Sequence, residues 1–190
     1  MKNRLMLALA ALIVSGGAGA QSLDLNLSND AVEGTFEGAV GGTGMGKSSY
    51  DFSVLFSERE GDNNWLVGGG YTVAGDAGSD VPGLELGVSI KLYTMEVAKY
   101  DVTAIPLGGH IRYSPPTLNR FYAQVQGYWA PGIVTLYDGD EFYYAGAKFG
   151  YEVLPSADVY IGYRNIYVDI KNRDDERVSE NWMVGVKLTF

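Results

Sequence analysis

His110 is the only histidine, and it stands in the run Gly108-Gly109-His110-Ile111-Arg112-Tyr113. Acyl transfer and hydrolysis need a base beside a nucleophile or an activated water, so any histidine-based mechanism rests on this one residue. Position 112, two residues beyond, holds arginine rather than a nucleophilic serine. A hydrogen-bonding role inside the molecule is the simpler reading of His110. There is no cysteine, which removes disulfides, thiol catalysis and thiolate metal sites together. The acids Asp138, Asp140 and Glu141, and Asp174, Asp175 and Glu176, lack the fixed offsets and central glycine of a calcium-binding loop. They read as solvated loop charges that could gather divalent cations diffusely. The run Gly41-Gly42-Thr43-Gly44-Met45-Gly46-Lys47-Ser48 ends like a phosphate-binding loop. Such a loop must open a helix to aim its amides at a phosphate; here an alternating strand pattern follows, so the run reads as a glycine-rich turn. No catalytic residue, cofactor site or metal site is expected.

The elements that would position any of these groups are strands. Apolar and polar residues alternate with period two in ten segments, near residues 22–28, 32–41, 48–57, 64–74, 83–92, 102–113, 121–130, 142–153, 158–167 and 181–190. Clear apolar phases are Tyr50, Phe52, Val54 and Phe56; Leu84, Leu86, Val88, Ile90 and Leu92; Phe121, Ala123, Val125 and Trp129; and Tyr143, Ala145, Ala147, Phe149, Tyr151 and Val153. The first two segments, with Leu23, Leu25 and Leu27, then Val32, Phe36 and Val40, carry weaker patterns. No segment keeps a helical period. Pro106 lies inside the sixth strand, where it costs a ladder bond unless a bulge absorbs it.

The final segment has Trp182, Val184, Val186, Leu188 and Phe190 on one face, and the sequence stops on the aromatic. A closing strand that faces lipid accounts for this pattern. At the front, Lys2 and Arg4, an apolar run over residues 5–14 and Ala18-Gly19-Ala20 make a secretory signal peptide, too short to span a bilayer. Residues 1–20 are expected to be cleaved and 21–190 to form the barrel. Loss of Lys2 and Arg4 leaves 12 basic against 23 acidic residues, a net charge of −11. That excess excludes nucleic acid as a natural partner.

Aromatic spacing converts the pattern into a dimension. Phe121 and Trp129, Tyr143 and Tyr151, and Trp182 and Phe190 each lie eight positions apart on one face. Eight residues rise about 26 Å along a strand, or roughly 20 Å along the normal at a tilt near 40°, close to the apolar band of a transmembrane barrel. The reading is therefore all-β: a closed antiparallel transmembrane β-barrel of ten strands, with eight as the alternative, and both termini in the periplasm. Turns at 114–119 and 154–157 are assigned to the periplasm, and the longer segments 130–141 and 168–180 to the outside. The glycine-rich connections at 41–48 and 75–82 are longer than that scheme prefers.

The opposite phase holds Asp24, Asn26, Glu33, Glu37, Asp51, Glu85, Lys91, His110, Arg112, Gln124, Gln126, Lys148, Glu152, Arg164 and Lys187. Acid and base read as mixed, with pairing expected between neighbouring strands across a narrow lumen. Either these groups form a polar plug that rigidifies the barrel, or they line a thin path for small solutes or ions.

The signal peptide, the strand Gly83-Leu84-Glu85-Leu86-Gly87-Val88-Ser89-Ile90, the strand Val159-Tyr160-Ile161-Gly162-Tyr163-Arg164-Asn165-Ile166-Tyr167 and the terminal phenylalanine together resemble the YfaZ family of small outer-membrane proteins. The resemblance covers most of the mature chain. It implies an outer-membrane β-barrel and transfers no catalytic or binding residue. The expected role is structural or surface-exposed, with a narrow pore as a further reading and a lipid- or peptide-modifying enzyme as the alternative. Expected partners are outer-membrane lipids and lipopolysaccharide, with the barrel assembly machinery reading the last strand; a monomer is expected.

Overall fold

The computed structural model describes residues 21–43, 46–59, 62–78, 81–171 and 176–190. The proposed signal peptide, the tip of the glycine-rich run and most of the charged stretch around 172–175 lie outside the described residues. Twelve strands run in chain order: β1 (Gln21–Leu27), β2 (Ala31–Thr43), β3 (Gly46–Arg59), β4 (Asp62–Asp76), β5 (Leu84–Val97), β6 (Tyr100–Ala104), β7 (Leu107–Tyr113), β8 (Phe121–Ala130), β9 (Thr135–Tyr137), β10 (Gly139–Leu154), β11 (Ala157–Ile170) and β12 (Glu176–Thr189). β6 and β7 both pair with β5 and are two halves of one wall strand. β9 is a short addition to the free edge of β6. The wall thus has ten antiparallel strands, and it closes because β1 pairs with β12 while β4 pairs with β5. All ten segments read from alternation are present, including the weak first two.

Closure joins the first wall strand to the last, so the wall has no open side through the membrane, as a chain in hydrocarbon requires. The seam is tied at its end by Gln21 and Phe190, whose amides each donate to the other's carbonyl at 2.9 and 2.8 Å. Register also gives the shear. From Leu27, partners lead one way through Val184, Ile161, Phe149, Ala123 and Tyr113 to Leu84 on β5. The other way they lead through Val32, Phe56 and Trp65 to Glu96 on the same strand. A shear of 12 over ten strands corresponds to a tilt of about 40°.

Pro106 costs the ladder bond expected of it, with no bulge to absorb the loss. Tyr93 faces Ala104 and Ile90 faces Leu107, so the register runs through without a bulge. The Lys91 amide donates to the Pro106 carbonyl at 3.0 Å, and the bond proline cannot donate is simply missing, which splits the strand in two. The loop scheme changes. β10 begins at Gly139, β11 runs to Ile170 and β12 begins at Glu176, so most of the segments taken as long outer loops is strand. Alternation continues past the apolar band, and sequence alone does not mark where strand leaves membrane.

Glycine and tyrosine are abundant for one shared reason. Gly68, Gly150 and Gly185 face Tyr93, Tyr122 and Tyr160 directly across the ladder. Each ring lies over its glycine so closely that an added Cβ would sit 2.2–2.3 Å from a ring carbon. His110 covers Gly87 in the same way. Bulky inward rings are accommodated in a narrow barrel by giving their cross-strand partner no side chain.

The outer surface is apolar over its middle, with Val88 65%, Val125 52% and Val184 60% exposed. Phe36 shares the outward phase but is covered, its ring 6.3 Å from Tyr50. Trp129, Tyr143 and Tyr167 form one aromatic row, with Tyr143 and Tyr167 stacked at 4.7 Å. Phe121 packs on Phe149 and Tyr151 at the other end of the same strands.

Candidate functional site in the barrel lumen

The inward phase changes character halfway along the barrel. On β3 it runs Asp51, Ser53, Leu55; on β10 Lys148, Gly146, Tyr144, Phe142; on β11 Arg164, Ile166, Val168, Ile170. Toward the end that carries Gln21 and Phe190, the interior is a polar cavity of about 350 Å³. Toward the distal end it is a dry core in which Leu55, Leu66, Met95, Phe142, Val168 and Val178 are at most 1% exposed. Tyr93, Tyr128 and Tyr144 separate the two, belonging to the core cluster and lining the cavity at once. Their rings interlock, with Tyr93 against Phe142 at 5.3 Å and Tyr128 edge-on to Tyr144 at 5.5 Å.

The distal end is drawn shut as well. The β1–β2 hairpin stops at residues 28–30, and beyond it Ser57 on β3 donates to the Val178 carbonyl on β12 at 2.7 Å. Val178 is the extra residue of a bulge between the Ile166–Ser179 and Tyr167–Arg177 pairs, which turns Val178 and Ser179 both inward.

Twelve of the fifteen sequence-selected residues line the cavity, among them Glu85, Lys91, His110, Arg112, Gln124, Gln126, Lys148 and Lys187. Asp24, Glu33, Glu37 and Asp51 are the other four. Asn26, Arg164 and Glu152 do not line it. Arg164 is fully buried behind the cavity, where it pairs with Glu33 and donates to Asn26 at 3.2 Å and Ser179 at 3.3 Å. Its Nη2 has no hydrogen-bond partner among the described residues. Glu152 stands near the end of β10, its amide bonded to the Arg120 carbonyl at 2.8 Å, away from the cavity.

Charge is segregated rather than mixed. Four of the five cavity carboxylates, Asp24, Glu33, Glu37 and Asp51, come from β1, β2 and β3. Lys91, His110, Arg112, Lys148 and Lys187 come from β5 through β12; Glu85 and Lys47 are the exceptions on each side. The ion pairs accordingly skip strands: Lys91 to Asp51 at 2.9 Å over β4, Lys187 to Glu37 at 2.9 Å over β1, and Lys148 to Asp24 at 2.8 Å over β11 and β12. Asp24 is Lys187's direct partner across the β1–β12 ladder, yet Lys187 reaches past it to Glu37 while Lys148 takes Asp24; long lysine stems allow such reaches. Tyr160 also donates to Asp24, and the Lys148 ammonium lies 4.4 Å from the Tyr160 ring centre.

His110 Nε2 meets Glu85 at 3.3 Å, and among the described residues no hydroxyl or amine nucleophile shares a hydrogen bond with the ring. Asp138 is a turn residue: its carboxylate accepts from the Asp101 amide and its carbonyl from the Lys171 amide. No cluster of metal-ligating side chains occurs among the described residues.

Sequence reasoning missed the tyrosine layer and the apolar core. The available signal was a run with both phases apolar, as in Val54-Leu55-Phe56, Trp65-Leu66-Val67 and Ile166-Tyr167-Val168.

A sheared, closed barrel with an apolar exterior, aromatic rows and a charged interior defines a transmembrane β-barrel of the outer-membrane type. The chain belongs to the YfaZ family: the family model described as YfaZ precursor matches residues 1–190. No curated protein matches it in sequence. Among solved structures it is similar to the KdgM porin in complex with disordered oligogalacturonate, at 12% identity and a TM-score of 0.48 over 90% of this chain and 99% of that one. The NanC porin aligns at 13% identity and a TM-score of 0.45, over 91% of this chain and all of that one. The outer membrane channel DcaP of Acinetobacter baumannii aligns at 12% and 0.46, over 92% of this chain and 60% of that one.

Proposed function

We propose that the protein is a non-conducting outer-membrane barrel of structural or surface role, whose lumen is a one-ended cavity facing the periplasm. The observation that carries this reading is the distal core: Leu55, Leu66, Met95 and Phe142 fill the cross-section that a permeating ion would need. A hydrated ion entering such a core loses its water without finding polar replacement. Placing the termini in the periplasm follows the secretory signal and the closing strand, and it turns the cavity inward and the apolar core outward. Membrane lipid and lipopolysaccharide cover the wall, the barrel assembly machinery reads β12, and the protein acts as a monomer. A lipid- or peptide-modifying activity gains no support from His110, since among the described residues no nucleophile hydrogen-bonds to its ring.

Planar-bilayer recording of refolded protein tests the reading. The folded state is verified beforehand by a heat-dependent shift in gel mobility. A silent barrel is expected; reproducible ohmic steps from the wild-type protein would overturn the assignment.

A further inference from the structure

We infer that the lumen cavity is a binding site for a small, polar, singly charged carboxylate, held by Arg112. Three of the lysines facing this space are already neutralised, Lys91 by Asp51, Lys148 by Asp24 and Lys187 by Glu37. Arg112 is half-buried in the wall, and among the described residues no side chain within hydrogen-bond or ion-pair distance engages it; the carboxylates acting on it from further off are Glu85 and Asp158. Glu85, its direct partner across the β5–β7 ladder, turns instead to His110. The guanidinium rests on the Tyr122 ring, 3.8 Å from its centre. Stacking engages the face of the group and leaves its N–H edge free, the edge that grips a carboxylate through two parallel bonds.

The surroundings set the class of ligand. Gln124 is Arg112's neighbour on β8, and Thr35 and Ser49 line the opposite wall, so hydroxyl or amide groups on the ligand find partners. Asp24, Glu37 and Asp51 are matched by their lysines, but Glu85, across the ladder from Arg112, has only His110 beside it and repels a second negative charge, which disfavours phosphate dianions. A cavity of about 350 Å³ lies within the range of small-molecule sites. The mouth, formed by Gln21, Ala39, Lys47 and Thr189, gives access from the end that bears the termini. This inference rests on the one-ended lumen proposed above.

Calorimetric titration of the folded barrel in detergent provides the test, with gluconate, its neutral amide gluconamide, and inorganic phosphate as probes at constant ionic strength. Expected are saturable one-to-one binding of gluconate, weakening by about tenfold or more for the amide, and no binding of phosphate. Arg112→Gln should weaken gluconate by a similar factor. Arg112→Lys should not restore it, since a point charge lacks the two-pronged edge, whereas a merely structural cation would be rescued by lysine. Equal binding of acid and amide, undiminished binding by Arg112→Gln or Arg112→Lys, phosphate binding as tight as gluconate, or no saturation would each overturn the inference. Bilayer recording of the same preparation separates the two claims. Ohmic steps with gluconate binding intact would overturn only the non-conducting reading, and a silent barrel that ignores gluconate only this one.

Discussion

Tyr93 on β5 and Phe142 on β10 meet inside the barrel with ring centres 5.3 Å apart. Their contact lies at the boundary between the polar cavity and the apolar core, and it spans the two wall strands that separate β5 from β10. Phe142 is 0% exposed. Phe142→Ala should cost about 3–5 kcal/mol, as for other buried aromatic truncations. Urea titration of the protein in lipid vesicles measures this. The double change Phe142→Ala with Met95→Ala should also turn a silent barrel into one with brief conductance events. Continued silence of a folded double variant would mean that the closure lies elsewhere, for instance at the Ser57–Val178 contact.

Arg164 should be the most sensitive charged position. It is fully buried and shares Glu33 with Asn26. Arg164→Met leaves Glu33 without its cation, a loss of about 3–5 kcal/mol in the same titration. Arg164→Met combined with Glu33→Gln removes both charges and should recover much of that loss. Additive losses in the double variant would contradict the pairing.

The outer face predicts a depth-dependent cost. Val125 lies on β8 midway between Phe121 and Trp129, and 52% of it is exposed. Val125→Arg should destabilise the vesicle-inserted barrel by about 2–4 kcal/mol, the penalty for a cation near the bilayer midplane. Leu118→Arg, in the turn before β8, should cost little. Equal costs at the two positions would count against the membrane placement.

The glycine–aromatic pairs give a steric prediction. A Cβ at position 185 would lie 2.2 Å from a carbon of the Tyr160 ring. Gly185→Ala must displace that ring and with it the Tyr160–Asp24 bond, at a cost of about 1–3 kcal/mol. Gly185→Ala combined with Tyr160→Leu should be milder than Gly185→Ala alone, which thermal unfolding followed by gel mobility would register.

Period-two alternation was enough to locate all ten wall strands and the barrel architecture, because a sheet with lipid on one side and its own interior on the other imposes that period on every strand. Val88, Val125 and Val184 could be placed outward from the primary structure alone for the same reason. Which inward groups touch was not legible. Lys148 and Asp24 are far apart in the chain, and their contact depends on the shear and on a strand order that brings β10 and β1 across β11 and β12. Nor did alternation disclose that the lumen closes. Polar residues mark the inward phase along much of the wall, while Leu55, Leu66, Met95 and Phe142 occupy that phase on four strands and merge into one core only when the wall curls round them. Membrane destination is thus a property of the linear pattern, written residue by residue. Whether the barrel is hollow depends on how side chains from distant strands fill a shared volume, and that is a property of closure.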